Sequence, residues 1–213
     1  MTILRDTRKY DIERIKSEWK DIERKLKERG EVFWNDTQLM VQNNGEGEHY
    51  QNGAGNIWDG KKEMDEKKFI HTNSLFKDTI FEEILNEWNG YRARILWLAP
   101  KSLYSLHHDP TGRVHLVIET NESTFFVFPR EKPPVIEWLP DNGHLYLCDT
   151  KRPHTYINAH SFQRRLHMVF CIKEKSLLEK AMESNIARTE ISGEYNTKWT
   201  PDAKEIFQRM KDE

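Results

Sequence analysis

Within the stretch S-L-H-H-D-P, His107 and Asp109 stand two positions apart. On an extended chain alternate side chains point the same way, so this imidazole and this carboxylate can reach one ion. The pair alone is a weak signal. It gains weight from His154, which opens another predicted strand further along the chain. Two neutral imidazoles and one carboxylate on one face of an octahedron leave three positions open, enough for iron(II) to bind an organic co-substrate and O2 together. His108, the residue between the pair, is expected to point away.

A bidentate organic acid on such a metal needs a cation for its far carboxylate, and the arginine fork matches that group. Arg165 stands eleven residues after His154 on the next predicted strand, with His167 two further along the same face and Arg164 facing the other way. Arg113 and His115 repeat the Arg-x-His pattern just after the first two ligands. For Arg113, contact with the co-substrate, contact with a substrate carboxylate and a buried ion network all remain open, and for His115 the buried network is equally open. Seven of the nine histidines fall between His107 and His167, where alternating strands would turn polar side chains inward and oblige them to find partners.

The elements that must position these residues are legible from periodicity. Ile12, Ile15, Trp19, Ile22 and Leu26 mark one face of a helix that Gly30 is placed to end. A strand is predicted from Phe33 to Val41, then a long Asn/Gly-rich loop over 42–62 in which Tyr50 and Trp58 are the expected substrate contacts. A second helix carries Phe81, Ile84, Leu85 and Trp88, with Thr79 and Glu82 at capping-box spacing and Gly90 beyond its end. From there the period becomes that of strands: 91–99, 113–120, 124–129, 135–139, 145–149, 155–158 and 164–172, with Asn142-Gly143 as a hairpin signal between two of them. Many short antiparallel strands indicate a sandwich or barrel padded by helices at both chain ends. Two further helices are predicted in the tail, opening at Ser176 and at Thr200-Pro201.

With 213 residues, the expectation is one domain: helices and loop over 1–90, a mainly β core over 91–172 and C-terminal helices over 173–213. Lys plus Arg total 33 against 35 Asp plus Glu, a net charge of -2 that gives no pull toward nucleic acid or anionic membrane. No secretory signal or membrane span is legible, and Cys148 and Cys171 sit in apolar stretches as small buried thiols, so a cytoplasmic protein is expected.

The segments RARILWLAPKSLYSLHHDPTGRVHLVIETN and GHLYLCDTKRPHTYINAHSFQRRLHMVFCI resemble the aspartyl/asparaginyl β-hydroxylase-like group of Fe(II)/2-oxoglutarate oxygenases over about residues 91–172. The resemblance implies a double-stranded β-helix (jelly roll, cupin-like). It implies His107, Asp109 and His154 as metal ligands, Arg165 as the distal-carboxylate arginine, and Arg113 and His115 as further co-substrate contacts, with Leu96 and Leu98 on the strand lining the pocket. The family spacing from the late histidine would select Arg164; the alternation of Leu166, Met168 and Phe170 selects Arg165. The activity implied by the resemblance is hydroxylation of an amino acid, peptide side chain or small molecule, with Fe(II) as the metal and 2-oxoglutarate and O2 consumed together. A cupin-type metalloenzyme that does not use 2-oxoglutarate and a non-catalytic jelly-roll binding module are the alternatives; succinate formation separates the first, Fe(II) affinity the second. Substrate and oligomeric state are not legible.

Overall fold

In the computed structural model, residues 3–31, 33, 37–55, 65–172 and 187–188 are described. The first long helix, α1 (Ile12–Glu28), buries Ile15, Trp19, Ile22 and Leu26, and Asp11 caps it by accepting the backbone N–H groups of Glu13 and Arg14. Gly30 follows it with φ +70°, where a left-handed backbone suits glycine.

The second helix, α2 (Ile80–Glu87), forms where expected, but its start is built differently. Thr79 Oγ1 donates backwards to the Phe76 carbonyl, and Glu82 accepts from the Asp78 N–H. The orphan N–H of Ile80, which a capping box does not reach, is taken by Glu18 of α1 at 2.6 Å. Gly90 does not terminate this helix; Asn89 takes the left-handed φ of 48° and Gly90 begins a strand.

The strands are β1 (Ile3–Lys9), β2 (Gln38–Met40), β3 (Gln42–Asn43), β4 (His71–Thr72), β5 (Gly90–Leu98), β6 (Ser102–Leu103), β7 (Arg113–Glu119), β8 (Thr124–Phe128), β9 (Val135–Glu137), β10 (His144–Cys148), β11 (Thr155–Asn158), β12 (Arg165–Ile172) and β13 (Ala187–Arg188). A seven-stranded sheet has the order β13-β1-β10-β7-β12-β5-β2, and a four-stranded sheet the order β6-β11-β8-β9. Between β5 and β12 the chain winds back and forth between these sheets. Eight strands wound this way, all pairs antiparallel, form the double-stranded β-helix.

This winding corrects one expectation. Asn142-Gly143 does not join a hairpin, because β9 and β10 belong to opposite sheets. It is a corner where the Gly143 carbonyl accepts the Tyr10 N–H at 2.9 Å, and a Cβ on Gly143 would fall 2.1 Å from the Tyr10 oxygen. The strand predicted over 33–41 pairs over Gln38–Met40, while residues 32 and 34–36 lie outside the described residues. The N-terminal strand β1, which the sequence pattern does not announce, pairs with β10. Both predicted tail helices fall outside the described residues.

Each strand of the large sheet divides its residues between two faces. Ile95, Val114, Leu116, Leu145, Met168 and Phe170 pack outward into one core with α1 and α2. The alternate residues point between the sheets, where Leu98, Val117, Phe126, Phe128, Tyr146 and Tyr156 form a second core. The same inward face carries the buried charged and imidazole side chains of Arg92, Arg94, Arg113, His115, Arg165 and His167. Burying six such groups is costly unless they meet partners or a ligand. Both cysteines are free and buried, and among the described residues no helix is long and apolar enough to cross a membrane.

Candidate metal centre and its pocket

His107 and His154 face each other across an isolated antiparallel bridge, each backbone N–H donating to the other's carbonyl at 3.1 and 2.8 Å. Strand pairing therefore sets their spacing. His107 Nδ1 lies 2.7 Å from the Ser105 carbonyl and His154 Nδ1 lies 2.9 Å from that of Arg152. A carbonyl only accepts, so in each neutral ring Nδ1 carries the hydrogen and Nε2 presents a lone pair. Asp109 is fixed by its own N–H, which donates to the Thr150 carbonyl at 2.8 Å. One donor atom from each of His107, Asp109 and His154 lies within 4.8 Å of the others.

The electrostatics suit a cation. Burial alone would raise the Asp109 carboxyl, but Arg113 and Arg94 outweigh it and hold the group below the usual carboxylate range. Burial lowers the His154 imidazole, the hydrogen bond to Arg152 offsetting this only in part, and the ring stays neutral as a ligand must. Arg113 Nε stands 3.3 Å from Asp109 Oδ2. Its terminal nitrogens are occupied elsewhere, by Glu66 at 2.8 and 3.2 Å and by Thr111 at 2.6 Å. Glu66 also pairs with Arg92.

A second chain of contacts runs from Arg165. This guanidinium is fully buried, sits 3.4 Å from the centre of the Tyr156 ring, and donates from Nη1 to His167 Nε2 at 2.7 Å. Because arginine only donates, His167 Nε2 accepts and its Nδ1 carries the hydrogen, facing His115 Nδ1 at 3.2 Å. His115 then carries its hydrogen on Nε2, which has no partner among the described residues. Burial, reinforced by Arg165, keeps both rings well below the ordinary imidazole pKa. Arg165 Nε and Nη2 are likewise buried without hydrogen-bond partners among the described residues. Arg164 faces α1 instead, bound to Glu119 at 2.6 Å and Glu23 at 2.7 Å, and lies over Trp97.

These groups surround one cavity of about 390 Å³. His107, Asp109 and His154 line it together with Arg113, His115 and His167; Arg165 is not on its wall but in contact with two residues that are, His167 and Tyr156. His108, expected to point away, is exposed and lines the same cavity. Leu96 is on the wall, whereas Leu98 packs into the inner core. Tyr50 is buried against the outer core with its hydroxyl on Glu48, so it does not face the cavity; Gly55 is the described residue of its loop that does. Trp58 lies outside the described residues.

Sequence reasoning missed Glu66, Arg92, Arg94 and Gln38. For the two arginines a weak signal was present: R-A-R places two charged side chains on one side of an otherwise apolar strand. Arg94 is buried, donates to Gln38 Oε1 at 3.1 Å, and has no carboxylate partner among the described residues. Burial, then the neighbouring charges of Arg92 and Arg113, lower its pKa to about 9.

No known family model matches the sequence, and a search of curated proteins gives no match. Among solved structures, the chain is similar to an oxidoreductase of the 2OG-Fe(II) oxygenase family from Burkholderia pseudomallei. The identity is 18% over 38% of this chain and 41% of that one, with a TM-score of 0.33. It is also similar to AviO1 from Streptomyces viridochromogenes Tue57, at 10% identity over 79% of this chain and 88% of that one, with a TM-score of 0.45. A third similar structure is HygX from Streptomyces hygroscopicus with nickel and 2-oxoglutarate bound, at 9% identity over 79% and 81% of the two chains and a TM-score of 0.45.

Proposed function

We propose that this chain is an Fe(II)- and 2-oxoglutarate-dependent dioxygenase. It hydroxylates an unactivated C–H bond of an amino acid, a peptide side chain or a small molecule, using one O2 and releasing succinate and CO2. The observation that carries this reading is the coexistence of the His107, Asp109 and His154 donors on one cavity with a fully buried arginine, in contact with that cavity's wall, whose Nε and Nη2 have no partner among the described residues. The donor set fits a divalent metal: two nitrogens, one ionised oxygen, and tautomers already fixed for coordination. The orphaned Nε and Nη2 of Arg165 fit a carboxylate, whose two oxygens match two parallel N–H donors.

His107 and His154 would hold the metal through Nε2 and Asp109 through a carboxylate oxygen. Bound there, the metal and the keto acid supply the oxidative chemistry. The chain's own residues hold and orient. The Ser105 and Arg152 carbonyls keep the two rings in the binding tautomer. Arg113, anchored by Glu66, steadies Asp109 and keeps it ionised; with its terminal nitrogens occupied, this is its role rather than a grip on the co-substrate. Arg165 receives the distal carboxylate, and through His167 it turns the Nε2–H of His115 into a donor for a co-substrate oxygen. Phe126 and Phe128, packed on the His154 ring, keep that side dry.

The test is anaerobic addition of Fe(II) and 2-oxoglutarate, watched by visible absorption, then exposure to O2 with succinate measured. Absorption and succinate are expected from the native chain and not from one in which His107, Asp109 and His154 are all alanine. Equal succinate from both would refute the proposal.

A further inference from the structure

The cavity carries more positive charge than the chemistry just proposed can use. Arg92, Arg94 and Arg113 converge on it from β5 and β7, against Glu66, which Arg92 and Arg113 share, and Asp109. A metal would draw on the Asp109 charge as well. Of the three arginines Arg94 is the one whose hydrogen bond goes to a neutral group, its nearest carboxylates acting only at longer range, and among the described residues its buried Nε has no hydrogen-bond partner.

Arg94 and Arg165 stand at different levels of the inward face. Leu98 on β5 is paired with Arg165, and Arg94 is four residues earlier on the same strand. At about 3.3 Å per residue their backbones are roughly 13 Å apart, with Leu96 and His167 between them. A diacid held between the metal and Arg165 would leave Arg94 without an anion, and a second one fits there.

From this geometry we infer that Arg94, held by Gln38, is a subsite for the carboxylate of the molecule to be oxidised, so that the substrate is a carboxylic acid. The inference rests on the oxygenase reading for the identity of the other ligands. Gln38 Oε1 accepts from both Arg94 Nη1 at 3.1 Å and the Gly55 N–H at 2.9 Å, which sets the direction of the guanidinium. The remaining N–H groups of Arg94 are those available to an anion entering beside Asp109 and the metal site.

The test uses saturation-transfer NMR on the full chain supplied with Zn(II) and 2-oxoglutarate. Probes are free and N-acetylated amino acids and short monocarboxylic acids, each paired with its primary amide. At least one acid should bind about tenfold or more tightly than its amide, as expected when a charge-assisted contact is lost. Arg94→Gln should weaken that acid by a similar factor. Gln38→Glu should do the same by a different route: it keeps both hydrogen bonds but places an internal carboxylate on Arg94, and its Tm should not fall. The affinity for 2-oxoglutarate, read from the absorption of the Fe(II) complex, should change less than twofold in both variants. No acid preferred over its amide, or an acid that binds Gln38→Glu as well as the native chain, overturns the subsite. Equal weakening of acid and 2-oxoglutarate by Arg94→Gln assigns Arg94 to the co-substrate, which overturns the subsite and leaves the oxygenase reading standing. Absence of any 2-oxoglutarate absorption in the native chain fails the oxygenase reading instead, and the acid-against-amide comparison still decides the subsite.

Discussion

Replacing Arg165 by methionine should separate folding from binding. The guanidinium is fully buried, yet it makes one side-chain hydrogen bond, to His167, and one ring contact, to Tyr156. Two of its nitrogens have no partner, each costing about 1–3 kcal/mol while buried. Methionine removes that cost and loses a charge-assisted hydrogen bond of about 1.5–3 kcal/mol and a cation–π contact of up to about 2 kcal/mol. These terms nearly cancel, so the metal-free stability of Arg165→Met should stay within about 2 kcal/mol of the native value. Binding should not. Two charge-assisted hydrogen bonds to a carboxylate are worth about 3–6 kcal/mol together, or roughly 100- to 10,000-fold in the Kd for 2-oxoglutarate. Urea denaturation of the metal-free chain and anaerobic titration of the Fe(II) form measure the two quantities. Arg164→Met is the control: it loses its pairs with Glu119 and Glu23, about 1 kcal/mol for such part-exposed contacts, and should leave 2-oxoglutarate affinity unchanged. An Arg165→Met protein that unfolds readily but binds 2-oxoglutarate normally would refute the reasoning.

Asp109→Asn should lower metal affinity by at least about tenfold while the fold persists, checked by equilibrium dialysis with Fe(II) or Mn(II) alongside circular dichroism. Glu66→Gln removes the one carboxylate shared by buried Arg92 and Arg113 and should cost about 3–5 kcal/mol in urea denaturation. His115 and His167 titrate below the ordinary value of 6.5 in the folded chain, so the unfolded chain binds more protons beneath that value. Their contribution is complete above about pH 6.5 and is lost as pH falls, and stability should decline between about pH 6.5 and 5. The decline should be smaller in a His115→Gln/His167→Gln double variant, and an equal slope in both proteins would contradict the assignment. Gly143→Ala, which forces a Cβ against the Tyr10 carbonyl at a φ of +83°, should lower Tm by several degrees in calorimetry.

Strand positions and their faces were legible because both faces of the large sheet are buried. The alternation of Leu166, Met168 and Phe170 with Arg165 and His167 therefore told which side each residue takes. The same alternation holds for Arg92 and Arg94, but no motif marks that strand. What could not be read locally was mostly tertiary. Thr79 and Glu82 have capping-box spacing, yet their side chains go to the Phe76 carbonyl and the Asp78 N–H of the preceding turn. Asn142-Gly143 has the composition of a hairpin, yet the chain changes sheets there, and composition does not encode which sheet a strand joins. Glu66, in a short 3-10 turn over Glu66–Lys68, has no sequence mark at all; its importance arises from where the fold brings two arginines.

The mutual backbone hydrogen bonds of His107 and His154 have a consequence for measurement. Both amides protect one another, and they form a bridge set apart from the two-residue β6–β11 ladder that joins the same segments. Such a short, interrupted pairing should open more readily than the continuous ladders of β7 and β12. A cation gripping both imidazoles would fasten it. Deuterium uptake at these two amides should therefore slow on loading with Zn(II) or Mn(II), giving a gauge of occupancy that needs neither substrate nor oxygen.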